Sequence, residues 1–298
     1  MAAYYVEGSY VDGTAVATSD LDLTIVFVAP FSSAAEAGQA RQLAEAGGEA
    51  DGPALDVTLT NALGPREQGD PMFKLGARLV YGSELRADVP LIPIGEWARQ
   101  RMHAAFWLMI TVLVRAPPVR APLAFPRPEA PFYGYAERRV LLADGSDIPS
   151  TRNLVRVMGW IATARMAPEA RLYVIRKRDV LAIYRQAIHD EWTPLLEQID
   201  QQCRTAWQYR VPDGPDEQAE LRALLMPTLA FENHFLEAYR DFLIAELSSG
   251  DAHAQRIAVE RLGKTLLVDG GVRQTLEQGA FEDTEVISKA RKLAGRMV

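Results

Sequence analysis

Cysteine is almost absent from this 298-residue chain: Cys203 stands alone, so no disulfide can form within it, and a reducing cytoplasmic setting is expected. Histidine is scarce too. His103, His189, His234 and His253 lie far apart without ligand spacing, which argues against a zinc site. The longest apolar run, residues 104–114, is roughly half of the ~20 residues a bilayer span requires, so no membrane partner is expected. The opening MAAYYVEGSY has neither a basic start nor an apolar stretch and does not read as a signal peptide. An excess of basic residues is also missing: 32 Lys and Arg face 39 Asp and Glu, a net charge of −7. Proteins that live on nucleic-acid phosphates are usually basic, so that partner class is disfavoured. An acidic balance suits a cationic small substrate, although such charge most often only keeps a chain dispersed. What is present, 48% apolar and 24% charged residues, is the mix of a globular protein, at a length that predicts about two domains.

The front of the chain reads as α/β. Strands are expected over residues 4–6, 21–28, 54–60 and 78–81, with an Ala/Glu/Gln/Arg-rich helix over 32–46 ended by Gly47-Gly48. Strand pattern then ceases for most of the chain. Helices are predicted over 96–114, 151–166, 178–188, 191–209 and 216–248, the last broken near Pro227, with shorter ones beyond. Six prolines in residues 117–131 exclude a long helix or strand there, leaving a loop that would help shape a substrate pocket. The fold class is therefore α+β: a small mixed-sheet domain over residues 1–92, then a larger helical domain over 93–298.

Carboxylates carry the chemical signal. In Asp20-Leu21-Asp22-Leu23, residues two apart share a strand face, so Asp20 and Asp22 project together while the leucines point the other way. Adjacent carboxylates repel and make each other harder to ionise, unless a cation sits between them. Mg²⁺, a hard ion that takes oxygen ligands and keeps waters, is the natural candidate. Asp56 repeats the parity in Leu55-Asp56-Val57-Thr58-Leu59, and a one-residue slip in either strand would break the shared face. Upstream, Gly8 permits a sharp turn and close backbone approach. Residues 10–18 suit a short helix or turn with N–H groups facing a phosphate, and Ser9 and Ser19 supply hydroxyl donors.

Gly8-Ser9, ten residues, Asp20-x-Asp22, then an apolar-Asp56-apolar strand: this constellation resembles the nucleotidyltransferase superfamily of DNA polymerase beta. Ser19-Asp20-Leu21-Asp22 with Leu55-Asp56-Val57-Thr58 more closely resembles the aminoglycoside adenylyltransferases within it. The resemblance implies that residues 1–92 form a nucleotidyltransferase domain. ATP would bind with Mg²⁺, an acceptor hydroxyl would attack the α-phosphorus, and pyrophosphate would leave. It implies Asp20 and Asp22 as metal ligands, Asp56 as a third ligand or the base, and Gly8, Ser9 and Ser19 at the nucleotide. In those adenylyltransferases the residue matching Asp56 is usually a glutamate.

The helical part adds a weaker likeness to the same enzymes over residues 151–179, which implies Lys177 as a cation for the triphosphate. Antibiotic-modifying members carry an acid just ahead of the helix that starts near Asn153; Ser150 stands at that place here. Glu232 and Asp241 read either as acids facing a cationic substrate or as ordinary helix-surface charges, and Cys203 reads as core. One of the five tryptophans is a candidate to stack on adenine. The function implied is AMP transfer from ATP to a small-molecule hydroxyl, an aminoglycoside-like compound among the options. The alternatives are an AMPylating transferase of toxin–antitoxin type and a non-catalytic nucleotide-binding module.

Overall fold

A computed structural model describes residues 2–47, 52–61, 69–141, 145–266 and 270–296. The chain is α+β, with a small mixed four-stranded sheet at the front and a helical remainder. Strand β1 (Ala3–Glu7) turns directly into a one-turn helix α1 (Gly8–Asp12). Strand β2 (Leu21–Phe27), helix α2 (Ala34–Ala46), strand β3 (Leu55–Asn61), helix α3 (Pro71–Gly76) and strand β4 (Arg78–Gly82) follow. Sheet order is β3-β2-β1-β4, with β1 antiparallel to both β2 and β4, and β2 parallel to β3. These strands match the alternation read from the sequence. The expected Gly47-Gly48 stop falls partly outside the described residues, although α2 does end at Ala46.

Local chemistry sets the helix starts. Ser32 and Glu36 bond at the head of α2, where Glu36 Oε2 accepts from both the Ser32 amide (2.7 Å) and its hydroxyl (2.6 Å). Asp70 caps α3 by accepting from the Phe73 amide at 3.0 Å, with Pro71 in the first turn, where its missing N–H costs nothing. One sheet face then buries Ala3, Tyr5 and Val26 against Phe73, Ala77 and Val89. Each large side chain buried there stabilises the fold by about 1.5–3 kcal/mol.

Helix α4 (Ile94–Val112) leads into the proline-rich segment, which holds the two-residue strand β5 (Val119–Arg120). A hairpin, β6 (Arg138–Leu141) with β7 (Asp147–Ser150), follows. The sequence showed no strand pattern there, because so short a pair is set by its partner and not by alternation. Helices α5 (Arg152–Ala170), α6 (Lys177–Ala187) and α7 (Thr193–Ile199) come next. In place of one helix over 191–209, α7 passes into a π-helical stretch, Asp200–Ala206. Helix α8 (Pro215–Leu247) runs unbroken through Pro227. An interior proline costs ~3 kcal/mol, but Leu224, Leu225, Thr228, Phe231 and Phe235 are buried around it, and that burial outweighs the loss. Helix α9 (Ala252–Leu262), strand β8 (Thr265–Leu266), helix α10 (Gly270–Gln278) and helix α11 (Thr284–Ala294) complete the chain, with β8 parallel to β5.

Two compact units result, Met1–Arg101 with Ala136–Asp213, and Met102–Tyr135 with Gly214–Val298. A cut after residue 92 does not coincide with this division. Helices α5–α7 join the sheet because their residues bond to its loops. Thr18 donates its hydroxyl to Gln208 O at 2.9 Å, Arg152 bonds Asp20 and the carbonyl of Thr18, and the Lys177 amide donates to Asp12 Oδ2 at 3.1 Å. In the second unit, the rings of Phe106, Phe235 and Tyr239 stack around α8. Arg115 there forms a bidentate pair with fully buried Glu232 (2.8 and 3.1 Å), which also accepts from the Tyr135 hydroxyl at 2.6 Å. Glu232 is therefore neither a surface acid nor a substrate contact. Asp241 is a surface acid and pairs with Arg240 at 2.9 Å. The proline-rich segment is tied to α8, where Asn233 Oδ1 accepts from the Leu123 amide at 2.6 Å. Cys203 is buried core, and burial pushes its thiol up to about 12.

Candidate active site

Register aligns the carboxylates. Glu7 stands opposite Asp22 in the β1–β2 pair, and Asp22 opposite Asp56 in the β2–β3 pair. Side chains at paired positions share a face, so Glu7, Asp22 and Asp56 form one row across three strands at the end of the sheet. Leu21, Leu23, Leu55 and Val57 take the other face, as the alternation predicted. Asp20 sits just before β2 and is turned to a different partner: Arg152 Nη1 lies 2.9 Å from its Oδ2, and Arg138 Nη2 4.0 Å.

Gly8 holds the row together. It adopts φ +68°, and a Cβ there would lie 2.0 Å from Asp22 Oδ2. The close approach anticipated for this glycine is thus to the Asp22 carboxylate. The α1 helix it opens carries Asp12, whose carboxylate accepts the Lys177 amide at the start of α6. That bond fixes where Lys177 enters the site. Ser9 and Ser19 are both buried, and Ser19 Oγ accepts from the Val16 amide at 2.9 Å, leaving its proton to donate.

A cavity of about 380 Å³ is lined by Gly8, Ser9, Ser19, Asp20, Asp22, Asp56 and Lys177, every site residue picked out from the sequence. Its whole lining belongs to the first unit. The carboxylates are joined by cations that sequence reading passed over: Arg138 on β6, Arg152 and Arg156 on α5, Arg101 on α4 and Arg204 in the π-helical stretch. Glu7 and Asp12 also line it. Both charge signs therefore meet across one space, the arrangement suited to a polyphosphate with its counter-ion.

Electrostatics follow from that crowding. Burial raises the Asp22 carboxyl above its ordinary value. The Lys177 charge opposes this, while Asp20 and Asp56 reinforce it. Glu7 is raised by burial as well, against a 2.6 Å hydrogen bond from the Thr24 hydroxyl and with the Asp70 and Asp22 charges adding to the rise. Burial lowers the Arg138 guanidinium, helped by the like charges of Arg152 and Arg156.

The fit to a divalent cation is that of a pair. Asp22 and Asp56 are adjacent hard-oxygen donors. No three Asp, Glu, His or Cys side chains among the described residues are grouped closely enough to hold a metal as they stand, and Asp20 is engaged by Arg152. Mg²⁺ is usually held by one or two carboxylates plus waters and substrate phosphates, so a pair suffices for it.

Ser150 offers nothing to a cationic drug. It is 1% exposed, its hydroxyl donates to Tyr209 O at 2.8 Å, and its Oγ accepts from the Arg152 amide at 3.1 Å. Of the tryptophans, Trp160 on α5 lines the cavity. Among the described residues no helix is long and apolar enough to cross a membrane. Compared with protein-family models, with curated proteins and with solved structures, the chain matches none.

Proposed function

We propose that this chain is a nucleotidyltransferase that moves a nucleoside monophosphate, AMP in the simplest case, from a triphosphate to a small-molecule hydroxyl. The observation that carries the reading is the register-aligned row of Glu7, Asp22 and Asp56 facing a cavity whose other groups include Lys177, Arg138, Arg152 and Arg156. Asp22 and Asp56 would hold Mg²⁺, which when bound neutralises phosphate charge and makes the α-phosphorus more electrophilic.

The chain's own groups do the rest. Lys177 and the three arginines balance the triphosphate and the charge that gathers on departing pyrophosphate. Ser9 and Ser19 donate hydroxyl hydrogen bonds to phosphate oxygens. In the transfer, the acceptor oxygen bonds to the α-phosphorus, and the bond from that phosphorus to the oxygen bridging to the β-phosphate breaks. The hydroxyl proton passes to the Asp56 carboxylate, and the electron pair leaves with pyrophosphate. Asp12, through its bond to the Lys177 amide, acts as a positioning residue.

The test is pyrophosphate release from ATP and Mg²⁺ with a panel of hydroxyl compounds. Asp22→Asn and Asp56→Asn should each lower release at least about a hundredfold while leaving far-ultraviolet circular dichroism unchanged. Full turnover in either variant refutes the proposal.

A further inference from the structure

Arg101 is a cation of the cavity to which the transfer step proposed above gives no part. Its guanidinium carbon lies 4.0 Å from the ring centroid of Trp97 and 4.8 Å from that of Trp160. Its Nε is buried without an acceptor, and among the described residues it makes no hydrogen bond or ion pair. Asp70 contributes field at a distance, but its carboxylate is spent capping α3. Three other arginines of this unit are paired, Arg152 with Asp20, Arg204 with Asp200 and Arg165 with Asp190. Burial presses Arg101 down to about 10, which leaves it charged at neutral pH.

A guanidinium donates only in its own plane, and stacking on indole faces satisfies none of those donors. The residue is half-buried in a cavity lining that also includes Met72 and Ile175, and its Nε has given up water without gaining an acceptor among the described residues. An oxyanion entering the cavity would supply one in a bidentate pair. The position also separates this group from the phosphate end. Trp160 is eight residues beyond Arg152 on α5, about 12 Å along the helix at 1.5 Å per residue.

We propose that Arg101, stacked on Trp97 and Trp160, binds a carboxylate or phosphate of the acceptor, so that the substrate is a hydroxylated small-molecule anion and not a cationic drug. The identity of the anion as an acceptor rests on the nucleotidyl-transfer reading; the anion site itself does not.

Two experiments on the full chain separate these. The first titrates ¹⁵N-labelled protein with acetate, inorganic phosphate and neutral acetamide while following arginine Nε–H resonances, that of Arg101 being identified by its loss in Arg101→Met. A saturable shift with acetate or phosphate and none with acetamide is expected, and whichever anion acts names the source. An unmoved Arg101 signal overturns the proposal. The second compares pyrophosphate release with gluconate, glucose 6-phosphate and glucose. At least one charged acceptor should exceed glucose about tenfold in kcat/KM, and Arg101→Met should abolish that preference with KM for ATP unchanged. Equal turnover of charged and neutral acceptors, or a rise in KM for ATP, overturns it. Arg101→Lys, which keeps the charge but not the fork, should retain only part of the preference and serves if the methionine variant does not fold. No turnover with any acceptor counts against nucleotidyl transfer and leaves the titration to decide the anion site.

Discussion

Replacing Gly8 with alanine tests the geometry on which the carboxylate row depends. The added Cβ would lie 2.0 Å from Asp22 Oδ2, 3.1 Å from its Cγ and 3.7 Å from its Cβ, on a backbone at φ +68°. Two costs arise. Holding a non-glycine residue in the left-handed region costs about 1–2 kcal/mol. Moving the Asp22 carboxylate away forces it off its preferred rotamer, at about 0.5–1.5 kcal/mol. The total is about 1.5–3.5 kcal/mol, small enough beside a typical ~5–15 kcal/mol stability for the variant to fold. The same substitution in an Asp22→Ala background meets only the Cβ at 3.7 Å, an ordinary contact, so only the backbone cost remains. Urea unfolding of the four proteins closes a double-mutant cycle, and the coupling should be about 1 kcal/mol. Gly8→Ala should also lose pyrophosphate release while folded, because its relief comes from displacing Asp22. Equal penalties in the two backgrounds, or none at all, would refute the argument that this glycine exists to admit that carboxylate.

Three further outcomes are expected. Glu7 has a raised carboxyl in the folded state, so the native protein binds more protons there than the unfolded chain, and stability falls as pH rises from the ordinary carboxylate value through the raised one. Glu7→Gln, which can still accept from Thr24, should remove that slope and be at least as stable as the parent at neutral pH; chemical denaturation across the acid range checks this. Glu232→Gln leaves Arg115 buried beside a neutral group and should cost about 3–5 kcal/mol, whereas Arg115→Met with Glu232→Leu should recover most of it in a thermal melt. Ser150→Asp places a carboxylate against the Tyr209 carbonyl in a fully buried position. It should lose at least about 2 kcal/mol and gain no affinity for an aminoglycoside by calorimetry.

Much of the candidate site was legible because strand parity is a local property. Asp20, Asp22 and Asp56 could be assigned to one side from alternation with Leu21, Leu23, Leu55 and Val57, and register bears this out for Asp22 and Asp56. Glu7 escaped notice although it directly precedes Gly8. Its place in the row comes from antiparallel pairing with β2, and a five-residue strand does not announce its partner. Arg138, Arg152 and Arg101 gave no signal either, since an isolated arginine looks the same on a solvated helix as beneath two indoles. Pro227 misled, because a helix-breaking residue is judged locally while burial of its neighbours is not.

By itself, the amino-acid order determined which residues alternate, where helices start and stop, and that several acids belong on one strand face. These are matters of backbone geometry within a few residues. Tertiary structure alone decided which charges meet: that Asp20 turns to Arg152, that Glu232 is sealed against Arg115, and that no carboxylate among the described residues pairs with Arg101. The physical reason is range. A side chain's direction is set by its own dihedrals, but its electrostatic partner is whatever the fold brings within a few ångströms, often from more than a hundred residues away.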